Sequence, residues 1–208
     1  MIHIVTQENR PCYGPAILEM HRHRKELFID EMGWQLFSHD GCEIDGYDTP
    51  HAIYLIMCAE SFSPVLASAR LVPTTRPHLL GDVFAHLCEG GPPRSDKVWE
   101  ASRFCPAPET PKGEPRRALL GEMIAGILET GLLFGVEEVV FVASAALSPI
   151  ALHIGWEARM LGEMQRHGRE RVGAMAASIT LDGLAKVRDR LKLPSPVTRF
   201  AAGLNAND

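Results

Sequence analysis

The chain has 208 residues, of which 46% are hydrophobic and 23% charged, with a net charge of −5. That is enough chain for one domain, 1–208, with a packed core and a cleft, and the acidic balance argues against the basic face that nucleic-acid binding uses. No apolar run reaches the roughly 18 residues that span a bilayer, and MIHIVTQENR lacks the basic-then-apolar pattern of a secretory signal. A cytoplasmic protein without membrane insertion is expected. Cys12, Cys42, Cys58, Cys88 and Cys105 are scattered with no CxxC pair, which reads as reduced thiols and predicts no metal site.

In chain order, IHIV at 2–5 predicts a first strand. Residues 15–30 predict a helix, with Ile17, Met20, Arg24 and Leu27 on one face by 3, 4 and 3 spacing. From Glu31 to Pro50 the periodicity disappears, and a long irregular segment of this kind tends to carry function. HAIYLIMC, 51–58, reads as a central strand buried on both faces. Ser63-Pro64 turns the chain into a strand at 65–72, which Pro73 ends. After a loop and a short helix, KVWEASRFC at 97–105 is again strand-like. The apolar stripe of Leu120, Met123, Ile124, Ile127, Leu128 and Gly131 predicts a helix over 114–134. A buried strand at 138–143, a short helix at 147–154, a strand at 172–180 and an amphipathic helix at 181–192 complete the order. The fold class is α/β (α+β), a sandwich around one mixed sheet.

Several charges stand on these apolar elements. Arg24 must either snorkel to solvent or meet a carboxylate, because an unpartnered buried guanidinium is costly. Asp45 and Asp48, in EIDGYDTP, read as turn residues or as a pair that captures cations. Arg70, inside the strand SARLVP, asks for a buried acidic partner. In WEASRF, alternation sends Glu100 and Arg103 to opposite faces, so the two share a cleft only if the strand bulges or ends there. A structural ion-pair network is the competing reading. Together, three arginines and three acids on apolar elements favour a polar, charge-balanced cleft.

The set RxxxF (Arg24, Phe28), GW (Gly33, Trp34), ExDxxD (Glu43, Asp45, Asp48), SxRLVPT (68–74) and ExSR (Glu100 to Arg103) resembles the Lux-type acyl-homoserine-lactone synthases of bacterial quorum sensing. Spacing and order match from Met1 to about Arg103, and GWEARMLG at 155–162 is similar more weakly. The resemblance implies an acetyltransferase-like (GNAT) fold with a central, mixed, V-splayed sheet flanked by helices. It implies acyl transfer from acyl-CoA or acyl-carrier protein to the amine of S-adenosylmethionine, then lactonisation releasing methylthioadenosine, with no cofactor beyond these substrates and no metal. Arg24, Phe28, Trp34, Asp45, Asp48, Arg70, Glu100 and Arg103 occupy the family's functional positions. Phe28 and Trp34 are expected to cover the adenosine and sulfonium, since aromatic faces attract cations. Glu100 is expected to take the amine's proton, directly or through one water. Asp45, Asp48, Arg24 and Arg103 are expected to shape the pocket, and Arg70 to reach the methionyl carboxylate.

On the acyl side, the resemblance puts Leu120, Met123, Phe141, Ala143, Ser144 and Leu147 along the acyl chain, with a plain core role as the alternative. Ala143 stands where many relatives with 3-oxo-acyl products carry Ser or Thr, which argues against that preference. Pro149 and His153 stand where carrier-protein users place basic side chains, although Lys112, Arg116 and Arg117, or Arg166, Arg169 and Arg171, offer substitutes. SARLVPTTRPHLL resembles the branch that takes branched or aromatic acyl-CoA, while Lys112 to Gly121 lacks the spaced glycines that hold a pyrophosphate. The balance leans to acyl-CoA. The alternative on the same fold is a GNAT-type N-acyltransferase acting on another amine, which needs no charged pocket before residue 50.

Overall fold

The computed structural model describes residues 1–58, 64–168, 170–194 and 196–201; Ser63 of the expected turn and Arg169 lie outside them. Strands and helices follow as β1 (Ile2–Val5), α1 (Gly14–Arg24), β2 (Ser38–His39), β3 (Cys42–Glu43), β4 (Ile53–Cys58), β5 (Val65–Pro73), α2 (Leu79–Asp82), β6 (Val98–Pro106), α3 (Glu114–Phe134), β7 (Glu138–Ser144), α4 (Ser148–His153), β8 (Ala158–Met160), β9 (Gln165–His167), β10 (Glu170–Ser178), α5 (Leu181–Leu191) and β11 (Thr198–Arg199). Nine of these strands belong to one mixed sheet, and β2 and β3 pair separately. The chain divides into two compact units, Met1–Arg70 with Arg103–Gly126 and Pro196–Asp208, and Leu71–Ser102 with Ile127–Ser195.

In the first unit β1 lies between β11, parallel, and β4, antiparallel, with Ile2 opposite Met57 and Val5 opposite Tyr54. Every residue of IHIV and of IYLIMC is buried, as continuous apolar runs covered on both faces require. α3 comes close to β1 at Gly126, where an added Cβ would sit 2.7 Å from Ile2 Cδ1. The predicted helix at 15–30 is α-helical only to Arg24; Lys25–Glu31 is a π-helix, in which Met32 N–H reaches Leu27 O at 2.9 Å. Such wide turns recur at functional sites, and no sequence pattern announces them. The segment expected to be irregular contains a tight hairpin, β2–β3, whose turn residues Asp40 (φ 49°) and Gly41 (φ 76°) are both left-handed. Asp-Gly is the pair such a turn demands.

In the second unit β6 and β7 pair in parallel over three rungs, ending at Glu100 opposite Val140. β7 pairs antiparallel with β10 along its whole length, and β10 also carries β8 and β9. Ala174, Met175 and Ala176 are fully buried there, with Val139 and Val140. α3 ran as predicted, and Gly131 lets it approach Ile179, 2.9 Å from an ideal Cβ. Among the described residues no helix is long and apolar enough to cross a membrane.

Candidate active site

The charged residues of the first unit form one closed network. Arg24, on the last turn of α1, donates from Nε to Glu43 Oε2 at 2.5 Å, and its Nη1 and Nη2 grip Asp48 Oδ1 and Oδ2, each at 2.9 Å. Arg70, on β5, donates to Asp45 Oδ1 and Oδ2 at 2.5 and 3.1 Å and lies 3.0 Å from Asp48 Oδ1. Arg103, on β6, places Nη2 3.0 Å from Glu43 Oε1 and 2.8 Å from Asp45 Oδ2. Three guanidiniums thus meet three carboxylates, and the two alternatives left open for Arg24 resolve in favour of the buried pair. The acids are held in turn by the chain. Asp45 N–H donates to Asp48 Oδ2 at 2.8 Å, and Tyr47 N–H donates to Asp45 Oδ1 at 2.8 Å.

Exposure separates the members. Glu43, Asp48, Arg24 and Arg70 keep at most 2% of side-chain surface, whereas Asp45 keeps 17%. Asp45 is therefore the carboxylate through which the network meets solvent. Beside it, Phe28 stacks on Trp34 with ring centroids 5.0 Å apart and planes 13° from parallel, and the Arg103 guanidinium lies 5.4 Å over the Phe28 ring. Phe28 belongs to the π-helix, and Trp34 is set by its N–H on Phe28 O at 2.8 Å. Trp34 remains 39% exposed, so the stack offers an open aromatic face.

Burial alone would raise the Asp48 carboxyl, but the hydrogen bond and charge of Arg24, with the charge of Arg70, hold it far below the carboxylate range. Arg24 is correspondingly raised: burial disfavours its charge, and Asp48, Glu43 and Asp45 overcome that cost. Burial pushes the neighbouring Cys105 thiol up to about 12. His21 is lowered by burial first and by Arg24 second.

Arg103 has φ 56°, a left-handed conformation inside a strand. Such a residue costs of order 1–3 kcal/mol and persists only where its surroundings hold it. It interrupts the regular backbone of WEASRF within β6. Glu100 itself belongs to the second unit, is 1% exposed, and accepts the N–H of Leu79 at 3.1 Å and of Leu80 at 2.5 Å. The candidate acyl residues divide between the units. Met123, in the first, is fully buried and Leu120 half-buried. In the second, Ala143 packs with Ala151 and Met175 against Phe141, which stacks on Trp156 at 5.7 Å, while Ser144 O accepts Ser148 Oγ and Leu147 is exposed.

Three contributors were not singled out from the sequence. Tyr54 donates its hydroxyl to Asp48 Oδ1 at 3.0 Å, His21 Nδ1 contacts Glu43 O at 2.9 Å, and Glu43, present in the ExDxxD pattern, joins Arg24 to Arg103. A tyrosine in an otherwise aliphatic buried strand was the one available signal. Among the described residues no group of three His, Cys, Asp or Glu side chains is placed to hold a metal ion.

A family model described as "Autoinducer synthase" matches residues 12–184. The acyl-homoserine-lactone synthase of Pseudomonas chlororaphis is 34% identical over 164 residues, covering 77% of this chain and 79% of that protein. The solved structure of BjaI, a CoA-dependent acyl-homoserine lactone synthase with SAM and isopentyl-CoA, superposes with a TM-score of 0.88 at 27% identity, covering 97% of this chain and 93% of that one. A putative N-acetyltransferase from Lactobacillus plantarum shares the fold at 16% identity, with a TM-score of 0.56 over 86% of this chain and 99% of that one. The fold is GNAT-like, and the chain belongs to the autoinducer synthase family, that of the acyl-homoserine-lactone synthases.

Proposed function

We propose that this acyltransferase of quorum sensing draws its acyl group from an acyl-CoA and binds S-adenosylmethionine at the charge network of the first unit. The observation that carries the reading is Asp45, the network carboxylate that keeps 17% of its side-chain surface, held from behind by the buried Arg70 and beside the Phe28–Trp34 stack. A zwitterion needs one group of each sign. Asp45 would take the ammonium, Arg70 the carboxylate, and the aromatic face the sulfonium. Arg24 and Asp48 are assigned to hold that pair in place, with Arg103 closing the network from β6.

In the reaction, Glu100 is assigned the amine's proton. The freed amine attacks the thioester carbonyl, the C–S bond breaks, and coenzyme A leaves as the thiol. The methionyl carboxylate then closes on the carbon that carries the sulfonium, which breaks that C–S bond and releases neutral methylthioadenosine. Both leaving groups are activated in the substrates themselves, so the reading calls for no further cofactor and no metal. Leu120, Met123, Phe141, Ala143, Ser144 and Leu147 are assigned to the acyl chain. Residues 12–184, matched by the family model, include parts of both units, which supports reading 1–208 as one synthase domain. Both substrates are metabolites of the cytoplasm, where the reading puts the enzyme, with neither nucleic acid nor membrane as partner.

The test is incubation of the purified protein with S-adenosylmethionine and matched acyl thioesters on coenzyme A and on carrier protein, followed by mass spectrometry. Lactone and methylthioadenosine appearing together, with acyl-CoA the better donor, is the expected result. Faster turnover of the carrier-protein thioester would overturn the donor assignment. An acylated amine without methylthioadenosine would return the chain to the N-acyltransferase reading.

A further inference from the structure

Residues 31–35 are exposed without exception, so burial does little to fix the chain between the π-helix and Trp34. Main-chain bonds do part of it: Gly33 N–H donates to Ile29 O at 3.1 Å, and Trp34 N–H to Phe28 O at 2.8 Å. The rest comes from Glu31, the last residue of the π-helix, which stands midway in sequence between Phe28 and Trp34. Its carboxylate meets the guanidinium of Arg116, on the first turn of α3, fork to fork. Nη1 donates to Oε1 at 3.1 Å and Nη2 to Oε2 at 3.2 Å. Lys112 Nζ stands 3.0 Å from the same Oε1.

Arg116 is itself held. Its Nε donates to Thr110 O at 3.0 Å, and the side chain keeps 18% of its surface. Thr110 belongs to the loop after β6, whose Ala107 is buried and donates its N–H to Leu66 O of β5 at 2.8 Å. The guanidinium therefore ties the end of the π-helix to main chain that is anchored on the sheet. Most exposed ion pairs contribute little, but a bidentate arginine–carboxylate pair in good geometry is the exception. Hydrogen bonds from Arg116, then from Lys112, hold the Glu31 carboxyl below its ordinary value, so the pair stays charged at neutral pH. Arg117 in turn pairs with Glu114 at 3.1 Å. Lys112, Arg116 and Arg117, which the sequence offered as a docking patch for a carrier protein, are thus each matched by an acid of the chain itself.

We infer that Arg116 is a positioning residue for S-adenosylmethionine, acting through Glu31 on the Phe28–Trp34 face. Arg103 holds that stack from the network side, with its guanidinium 5.4 Å over the Phe28 ring. Arg116 holds the helix end that decides where Trp34 lies. Without the fork, residues 31–34 keep their main-chain bonds but lose the tether to the 107–110 loop, and Trp34 spends part of its time off Phe28. The inference rests on the reading above, in which that face receives the sulfonium.

Two measurements test it on the wild type, Arg116→Gln, Glu31→Gln and the double variant. Acrylamide quenching of fluorescence reads Trp34, because Trp99 and Trp156 are 9% and 5% exposed against its 39%. The quenching constant is expected to rise in all three variants, and a constant equal to that of the wild type overturns the tether. Calorimetric titration with S-adenosylmethionine is expected to give a Kd about fivefold higher in each single variant, the upper end for one partly exposed pair. The double variant is expected to be no weaker than either single one, because the two side chains act as a unit. Single effects that multiply in the double variant overturn action through the pair, which a general loosening of the fold would also produce. Arg116→Lys keeps the charge without the fork and is expected to fall between Arg116→Gln and the wild type. A wild type that binds with the same Kd as the variants refutes the role of Arg116 alone, whereas a wild type that binds no S-adenosylmethionine refutes the substrate reading beneath it.

Discussion

Asp45 and Arg70 face each other through two hydrogen bonds of 2.5 and 3.1 Å, yet Arg70 is fully buried while Asp45 keeps 17% of its side-chain surface. The pair is therefore asymmetric, with a fixed cation behind and a reachable anion in front. Asp45→Asn keeps the shape and one acceptor oxygen but removes the charge that an ammonium would meet. We expect KM for S-adenosylmethionine to rise about tenfold, in line with loss of one charge-assisted hydrogen bond, while KM for the acyl donor stays put. A uniform fall in kcat with unchanged KM would mean that Asp45 does not touch the amine.

Glu43 and Arg24 should behave differently, because neither reaches solvent. Removing one partner of a buried pair leaves an uncompensated charge, and such losses run to about 3–5 kcal/mol. Glu43→Gln strands part of both Arg24 and Arg103. Its urea midpoint should fall accordingly, with more loss of stability than Asp45→Asn causes. Equal midpoints for the two variants would contradict the division between inner and outer acids.

Much of this was legible in advance, and the limits have a physical form. α3 and the buried strands announced themselves because their apolar spacing is local and long. All five network residues named from the sequence, Arg24, Asp45, Asp48, Arg70 and Arg103, do meet in the first unit. Their pairing was not legible, since residues 24, 43–48, 70 and 103 are brought together only by the fold. Glu43 decides the fate of Arg24, and nothing in helix periodicity connects them. The strands β8, β9 and β11, two or three residues long, are defined by their partners rather than by their own pattern. The hairpin at 38–43 carries an Asp40-Gly41 signature, which the reading of 31–50 as irregular passed over.

The same network makes stability depend on pH. His21, lowered by burial and then by Arg24, resists protonation in the fold, so below about pH 6.5 the unfolded chain binds more protons. His3, lowered by burial and by the N-terminal charge, acts in the same window. Stability should fall as pH drops through that range, by at most about 1.4 kcal/mol per pH unit per group. A second loss begins near about pH 4, where unfolded carboxyls take protons that Asp48 in the fold refuses. Urea midpoints at pH 7.5, 6, 5 and 3.5 read both steps. His21→Asn, which can still donate to Glu43 O, should flatten the first step; an unaltered slope would assign it to His3.

Glu100 carries two assignments that one substitution can separate. Its carboxylate fixes the 79–80 turn through two main-chain N–H groups, and the proposed mechanism gives it the amine's proton. Glu100→Gln keeps one acceptor oxygen and opposes an amide N–H to the other donor, so some loosening of the turn is built in. Looser anchoring alone would lower activity by a similar factor at every pH. Loss of a general base typically costs about 10²–10⁴-fold and also removes the limb of the pH–kcat profile that the base sets. We therefore expect a fall in kcat of that order with the acidic limb abolished and KM for S-adenosylmethionine within about twofold. A variant that keeps the acidic limb would take the proton away from Glu100 and leave it as the anchor of the turn.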